Sequence, residues 1–274
     1  MAHTRQVVDN IPLAAAYTPI YPLDKSNFHF SGTIHSDDTW TGDRPIAIYF
    51  HGSGAAGHVP IDDPLAVAVV ERGVHFIAIR DFGSGTSSGR PSANGYGNVN
   101  SPMFYANQIK NAWRVQAGIE FVRSVKPTGD IILLGHSNGA AAAFAWSSIC
   151  GTPGFSPASA VSCVVGNGVT QGGLGDMRWN NVMRNMSVIS QLFHRCKHPA
   201  IAFYADLDGF CPPDFARRMQ ASLPTNSPVN VISPGAFPHG WFPLQPDFAV
   251  NLMMNLYRNE PLLVNGIPVI PGAG

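Results

Sequence analysis

Short runs of apolar residues alternate along the chain with longer stretches whose apolar residues recur at helical spacing. The short runs predict strands over Ile46–Phe50, Val74–Ile79, Ile131–Leu134, Ser162–Val165, Ala200–Tyr204 and Val229–Ile232. The longer stretches predict helices over Asn107–Val125, Gly139–Ser148 and Asp247–Tyr257. This alternation is typical of a mostly parallel, twisted sheet covered by helices on both faces, so the predicted fold class is α/β.

The chain contains no internal repeat, low-complexity tract or linker, and we expect residues 1–274 to form a single domain. One connection, residues 168–197, is longer than a crossover between two strands requires. It predicts either a small cap over the site or an ordinary crossover helix at Val182–Phe193 with an irregular lead-in. The sequence leaves both interpretations open.

Composition limits the classes of partner. The formal net charge is +0 and no dense basic cluster occurs, so no nucleic-acid partner is expected. No run of about 18 apolar residues predicts a transmembrane helix, and the N-terminal residues lack the apolar core of a signal peptide. Charged residues make up only 12% of the chain, against roughly 25% in an average domain. That scarcity leans toward an exported protein whose signal has been removed; otherwise a cytoplasmic location is expected.

The cysteine and histidine patterns favour no metal or cofactor. Cys150, Cys163, Cys196 and Cys211 match no zinc-binding spacing, and they are compatible with two disulfides or with buried thiols. The glycine-rich segments lack both the phosphate-loop spacing and the dinucleotide-binding spacing. We therefore expect the protein to work without a cofactor or a metal ion.

The segment Gly135–Gly139, which reads G-H-S-N-G, carries the strongest chemical signal. It follows a predicted strand and precedes a predicted helix, the context in which G-x-S-x-G presents a nucleophilic serine on a sharp turn. Small neighbours are needed there because the turn has unfavourable backbone angles, and the helix that follows adds its positive N-terminal end. Ser137 is therefore the candidate nucleophile.

Other segments follow predicted strands in a fixed order. His51-Gly52-Ser53-Gly54 comes after the first predicted strand, and residues 81–89 (D-F-G-S-G-T-S-S-G) after the second. Residues 205–213 (A-D-L-D-G-F-C-P-P) and 238–241 (P-H-G-W) follow two late strands. Together with G-H-S-N-G, these segments resemble the motifs of the α/β-hydrolase superfamily, in particular its serine esterases and lipases. The resemblance extends over about residues 44–257 and implies an α/β-hydrolase fold.

The resemblance also implies roles for individual residues. It places the oxyanion donors on the backbone N–H groups of Ser53 and Asn138, with Gly54 as a third. Alignment with the acid motif of the family, in which Ala205 stands at the usual glycine, selects Asp208 as the triad acid and leaves Asp206 as the alternative. His239 would be the general base.

Two neighbours of these motifs have structural interpretations. His136 is expected to pack beside the nucleophile, and His51 to brace the oxyanion loop. Aromatic residues near the motifs are candidates to line an acyl or aryl pocket or to belong to the core: Phe82, Phe210, Phe237, Trp241 and Phe242.

Hydrolysis of carboxylic esters, small or polymeric, is the activity that the resemblance favours. A serine peptidase or thioesterase of the same fold is an alternative, because the same residues serve several acyl transfers. A non-catalytic binding protein on this scaffold is another alternative, although such proteins usually lack a member of the triad.

Overall fold

The computed structural model describes residues 3–12, 29–37, 43–52, 58–80, 87, 103–126, 128–169, 189–209, 214–239, 242–264 and 267–269. These residues form a central sheet of eight strands, helices on both of its faces and a separate two-stranded hairpin.

The central sheet contains β1 (His3–Pro12), β2 (His29–Asp37), β3 (Ile46–Phe50), β4 (His75–Ile79), β5 (Ile131–His136), β6 (Cys163–Asn167), β7 (Ala200–Phe203) and β8 (Val229–Ile232). The strands lie in the order β1-β2-β4-β3-β5-β6-β7-β8. β1 pairs with β2, and β2 with β4, in antiparallel orientation. All neighbouring strands in the remaining order β4-β3-β5-β6-β7-β8 are parallel. The predicted strands are β3 to β8, and the mostly parallel sheet is confirmed.

The helices are α1 (Pro64–Glu71), α2 (Met103–Val125), α3 (Asn138–Ile149), α4 (189–194 among the described residues), α5 (Phe215–Ser222) and α6 (Pro246–Tyr257). The three predicted helices correspond to α2, α3 and α6, and α2 begins at Met103 rather than at Asn107. Near the C-terminus, β9 (Leu262–Val264) and β10 (Ile267–Val269) form the antiparallel hairpin.

Side chains on the two faces of the sheet enter two separate apolar layers. On β3, Ile46, Ile48 and Phe50 contribute to the layer with α2, α3 and α5, whereas Ala47 and Tyr49 contribute to the layer with α1 and α6. Every residue of β3 is buried as a result. Burial on both faces explains why the parallel strands appear in the sequence as continuous apolar runs.

The two N-terminal strands, β1 and β2, are not predicted by the pattern of hydrophobic residues. Most of β1 is exposed because it is an edge strand, and its residues show no apolar run. β2 is mostly buried but carries polar residues, which find partners inside the protein. For example, the Oγ atoms of Ser31 and Ser87 share a hydrogen bond at 3.1 Å. The backbone N–H of Ser31 also donates to Ser87 Oγ, at 2.9 Å.

Helix α1 was also absent from the predictions, although a local signal for it exists. The Asp63 side chain accepts hydrogen bonds from the N–H groups of Leu65 and Ala66 at 3.1 and 3.0 Å, and Pro64 occupies the first turn. An aspartate cap followed by proline is a recognised helix start. Eight residues are too few for a clear helical period, so the cap was the better indicator.

Three of the four cysteines, Cys150, Cys163 and Cys196, are buried free thiols, and Cys211 lies outside the described residues. Of residues 168–197, the structure describes 168–169 and 189–197, and α4 overlaps the predicted crossover helix. The choice between a cap and a simple crossover stays a prediction. In the described part of the chain, no helix is long and apolar enough to cross a membrane.

Candidate active site

Ser137 occupies a strained turn between β5 and α3. Its φ is 54° and its ψ is −122°, a conformation that costs a non-glycine residue about 1–3 kcal/mol. The flanking glycines are required by space: a Cβ on Gly135 would lie 2.6 Å from the backbone of Ala140, and one on Gly139 would lie 2.0 Å from the carbonyl oxygen of Phe50. The G-x-S-x-G pattern thus reflects close packing of α3 against β3 and β5.

The acid candidates are separated by their contacts. Asp208 Oδ2 accepts a hydrogen bond from His239 Nδ1 at 2.8 Å, and the Asp208 side chain is only 2% exposed. Asp206 instead accepts a hydrogen bond from Ser233 Oγ at 2.6 Å, and its backbone N–H donates to Gly235 O. The structure therefore brings Asp208 to the histidine ring and uses Asp206 to hold the neighbouring loop together.

Gly168, immediately after β6, lies directly against the His239–Asp208 pair. A Cβ at this position would lie 2.6 Å from His239 Cε1 and 3.1 Å from Asp208 Oδ2, and its φ is 55°. Glycine is needed here both for the backbone conformation and for space. Sequence reasoning missed it, since only the position of β6 beside β7 reveals its closeness to the pair.

Asn167, the last residue of β6, connects the serine turn with the histidine loop. It is fully buried, and its carbonyl oxygen accepts a hydrogen bond from Ser137 N–H at 2.8 Å. Its Nδ2 donates to the carbonyl oxygen of His239 at 3.1 Å and lies 3.1 Å from His136 Nδ1. Through its backbone carbonyl and its side chain together, Asn167 thus contacts both the serine turn and the histidine loop. No motif marks Asn167 in the sequence.

His136 packs beside Ser137 and the His239 ring. Its ring centroid lies 4.8 Å from that of His239. Burial, followed by the nearby His239, lowers the pKa of His136 to about 4, so the ring is neutral near neutral pH. A neutral imidazole can accept the Asn167 amide proton at Nδ1.

The segment that leaves β3 lies against the serine turn. A Cβ on Gly52 would lie 3.0 Å from Ser137 Cβ and 3.1 Å from His136 Cδ2, so the chain passes directly against Ser137. The His51 ring lies 4.9 Å from the Tyr49 ring, and burial lowers the pKa of His51 to about 3. His51 is therefore a neutral, packed side chain at the start of the loop.

The predicted oxyanion donors are only partly described. Asn138 is 4% exposed and is the first residue of α3. N–H groups in the first turn of a helix point along the axis toward its positive end. Ser53 and Gly54 lie outside the described residues, as do Phe82, Phe210 and Trp241 of the candidate pocket lining.

The two described aromatic residues differ in their positions. Phe242 is fully buried and packs 5.9 Å from Phe203 in the core layer of α1 and α6, whereas Phe237 is only partly buried. Phe242 is therefore a core residue. Among the described residues, no group of three or more His, Cys, Asp or Glu side chains is arranged to hold a metal ion.

No protein-family model matches the chain, and no curated protein matches it in sequence. Solved structures do match. Est1E from Butyrivibrio proteoclasticus with ferulic acid bound has a TM-score of 0.62 and 12% identity, covering 86% of this chain and 98% of its own. The dienelactone hydrolase-like promiscuous phosphotriesterase P91 from metagenomic libraries has a TM-score of 0.57 and 14% identity, covering 94% and 99%.

Acetyl xylan esterase 1 from Thermoanaerobacterium sp. JW/SL YS485 is also similar, with a TM-score of 0.54 and 16% identity over 85% of this chain and 80% of that one. Together with the parallel sheet and its flanking helices, these matches establish that the chain has the α/β-hydrolase fold. The fold by itself does not specify a reaction.

Proposed function

We propose that this protein hydrolyses carboxylic esters through an acyl-enzyme formed on Ser137. The observation that carries the proposal is the hydrogen bond of 2.8 Å between Asp208 and His239, next to a serine on a turn with positive φ. Asn167 joins the two parts, because it bonds to Ser137 N–H and to His239 O. A strained serine after β5 and a carboxylate-bound histidine after β8, both bonded to Asn167 at the end of β6, are the arrangement that nucleophilic catalysis needs.

In the proposed reaction, His239 removes the proton from Ser137 Oγ while Oγ attacks the acyl carbon. Asp208 holds the imidazole in the tautomer with its proton on Nδ1 and stabilises the cation that forms. His239 then gives its proton to the departing alcohol. Water, deprotonated by the same histidine, attacks the acyl-enzyme, and Ser137 recovers its proton as the carboxylic acid is released.

The negative oxygen of each tetrahedral intermediate needs donors that are already in place. We assign this role to the backbone N–H groups of Asn138 and Ser53, with Gly54 as a third. The loss of one such donor costs about 10²–10³ in kcat in enzymes of this kind. The N-terminal end of α3 supplies further positive potential at the same position.

The proposal of ester substrates is supported by the names of the similar solved structures. The similar solved structures include acetyl xylan esterase 1 and Est1E with ferulic acid bound. The partly buried Phe237, two residues before His239, is one described apolar side chain able to contact an acyl or aryl group. A peptidase, a thioesterase and a non-catalytic scaffold remain the alternatives to be tested.

The test is hydrolysis of p-nitrophenyl esters from acetate to palmitate by the wild type and by Ser137→Ala. We expect turnover by the wild type and a loss of about 10⁴-fold or more in the variant, since the serine acts together with its base. A fluorophosphonate probe should label the wild type and leave the folded variant unlabelled. Circular dichroism of both proteins checks the fold.

The same experiment separates the alternatives. Labelling of Ser137 without ester turnover would redirect the assignment to peptides or thioesters. A folded wild type that neither turns over esters nor reacts with the probe would reject the enzyme assignment and favour the binding protein.

A further inference from the structure

Arg114, a fully buried residue of helix α2, contacts the chain where β3 and β4 end. Arg114 is 0% exposed, and its Nη2 donates to the carbonyl oxygen of Ile79 at 2.6 Å. Nη1 and Nη2 both reach the carbonyl oxygen of His51, at 3.3 and 3.2 Å. The guanidinium carbon also lies 5.4 Å from the centroid of the Phe50 ring. The planar fork of one arginine therefore fixes the first residue of the predicted oxyanion loop.

The carbonyl group of His51 is held from a second side as well. A Cβ on Gly139 would lie 2.6 Å from His51 O, so the first turn of α3 rests directly on this group. Because the peptide unit is planar, fixing His51 O also fixes the direction of the Gly52 N–H and of the chain that follows it. Gly52 in turn lies against Ser137.

Asn111, three residues before Arg114, contacts the other predicted donor residue. Its Nδ2 donates to Asn138 Oδ1 at 3.0 Å, and both side chains are buried. Residues three apart share one face of a helix, so a single face of α2 contacts both the loop after β3 and the start of α3.

We propose that Asn111 and Arg114 are positioning residues that hold Asn138, at the start of α3, and His51 and Gly52, after β3, in the places that the oxyanion hole requires. The inference rests on the proposed function, because it concerns the backbone donors which that function needs. Neither side chain is assigned a contact with substrate. Their effect is to hold the donors where charge develops, and a displacement of about 1 Å at such a site can cost about 10²-fold in rate.

Arg123 on the same helix provides a matched control. Its Nη1 donates to Gly129 O at 2.7 Å and its Nη2 to Ala160 O at 3.4 Å, so it also joins two backbone carbonyl groups. Gly129 precedes β5, at the opposite end of that strand from Ser137. Arg114→Met and Arg123→Met therefore both remove hydrogen bonds to two backbone carbonyl groups, from a fully buried arginine near the site and from a partly buried one far from it.

The experiment measures kcat and KM for p-nitrophenyl acetate, together with the inhibition constant of an aryl trifluoromethyl ketone, which forms a tetrahedral adduct with a serine. For Arg114→Met we expect kcat to fall about 10²-fold and the inhibition constant to rise to a similar extent, with KM changed by less than about threefold. Arg123→Met should keep kcat and the inhibition constant within about threefold of wild type. A merely structural role would not raise the inhibition constant of the adduct selectively.

Two further variants keep the test decisive if Arg114→Met does not fold. Arg114→Lys retains the charge but not the two-pronged donor geometry, so about a tenfold loss in kcat is expected. Asn111→Leu, which removes the bond to Asn138, should lower kcat by about tenfold at unchanged KM. Thermal denaturation identifies the variants that are folded.

The outcomes separate the two claims. An active wild type whose Arg114 variants match Arg123→Met in all three constants would overturn the positioning role and leave the proposed function intact. A rise in KM with unchanged kcat would also overturn it. A wild type that hydrolyses no ester and forms no adduct would overturn both.

Discussion

Two regions of the sheet bury polar residues: the carboxyl ends of β3, β5 and β6, and the antiparallel edge formed by β1 and β2. The two regions differ in backbone conformation. At the edge, Ser31 and Thr33 lie on an extended strand without positive φ, although a Cβ on Gly32 between them would lie 2.5 Å from Ala78 O. At the strand ends, Ser137 and Gly168 have positive φ, and close backbone approach requires glycine at Gly139. Buried polarity alone therefore does not mark a site in this protein. Strain and close approach at the same place do.

At the edge, buried polar residues join neighbouring strands, and no part in the reaction is assigned to them. His35 on β2 is fully buried, with its Nδ1 3.0 Å from His3 Nε2 and its ring 5.6 Å from that of Phe76. These contacts join β1 to β2 and to the sheet. At the strand ends, Asn167 makes contacts of similar length, but it joins the two groups assigned to the reaction.

The largest effect is expected at Asp208, the proposed acid of the triad. Asp208→Asn leaves the side chain in place but removes the charge that orients His239, so kcat should fall by about 10⁴-fold. Asp206→Asn, two residues away and bonded to Ser233, should lower kcat by less than about tenfold. Steady-state kinetics on one ester measures both effects. Equal losses in the two variants would contradict the assignment of Asp208.

Gly168 offers a second, smaller effect with its own control. Gly168→Ala strains a φ of 55° and places a methyl group 2.6 Å from the His239 ring, so we expect kcat to fall by about 10–10²-fold. Gly151→Ala strains a φ of 78°, but no atom lies within 4 Å of the added carbon.

Both glycine variants should lose about 1 kcal/mol or more of stability in urea unfolding, because an L-residue resists positive φ. Only Gly168→Ala should lose activity out of proportion to that destabilisation. If Gly151→Ala were equally impaired in kcat, backbone strain would explain both and the contact with His239 would explain neither.

The smallest expected effect concerns the edge and pH. Burial, followed by the charges of His3 and Arg5, lowers the pKa of His35 from 6.5 to about 4 in the folded protein. Between these values the unfolded chain binds a proton that the folded one does not, so the free energy of unfolding falls as pH decreases from about 6.5 to 4. One such group contributes up to about 1.4 kcal/mol per pH unit.

Urea unfolding at pH 5.0 and 7.5 tests this sign. His35→Phe removes the titrating group and should lose less stability between the two pH values than the wild type does, whereas His194→Gln, at an exposed position of α4, should behave like the wild type. Activity at pH 7.5 should be unaffected by either change. An identical pH difference in all three proteins would show that His35 does not contribute.

Local sequence was a good guide wherever a structural requirement falls on neighbouring residues. The buried parallel strands were predicted because both of their faces are apolar, and β3 illustrates this from Ile46 to Phe50. β1 and β2 were missed because exposure and internal polar pairing erase that pattern. Alignment with the acid motif selected Asp208 and left Asp206 as the alternative, and the structure adds that Asp208 contacts the His239 ring whereas Asp206 bonds to Ser233.

By itself, the sequence determined the α/β class, the serine turn and the order of the segments that carry Ser137, Asp208 and His239. The class and the serine turn follow from hydrophobic period and from nearest-neighbour sterics, whereas the order of the segments rests on the resemblance to the motifs of the α/β-hydrolase superfamily. The tertiary structure alone decided that Asn167 and Gly168 meet the histidine and that Asn111 and Arg114 meet the ends of β3 and α3. Such contacts depend on which strands are adjacent, on their register and on the face that a crossing helix presents, and none of these is fixed by residues close together in sequence.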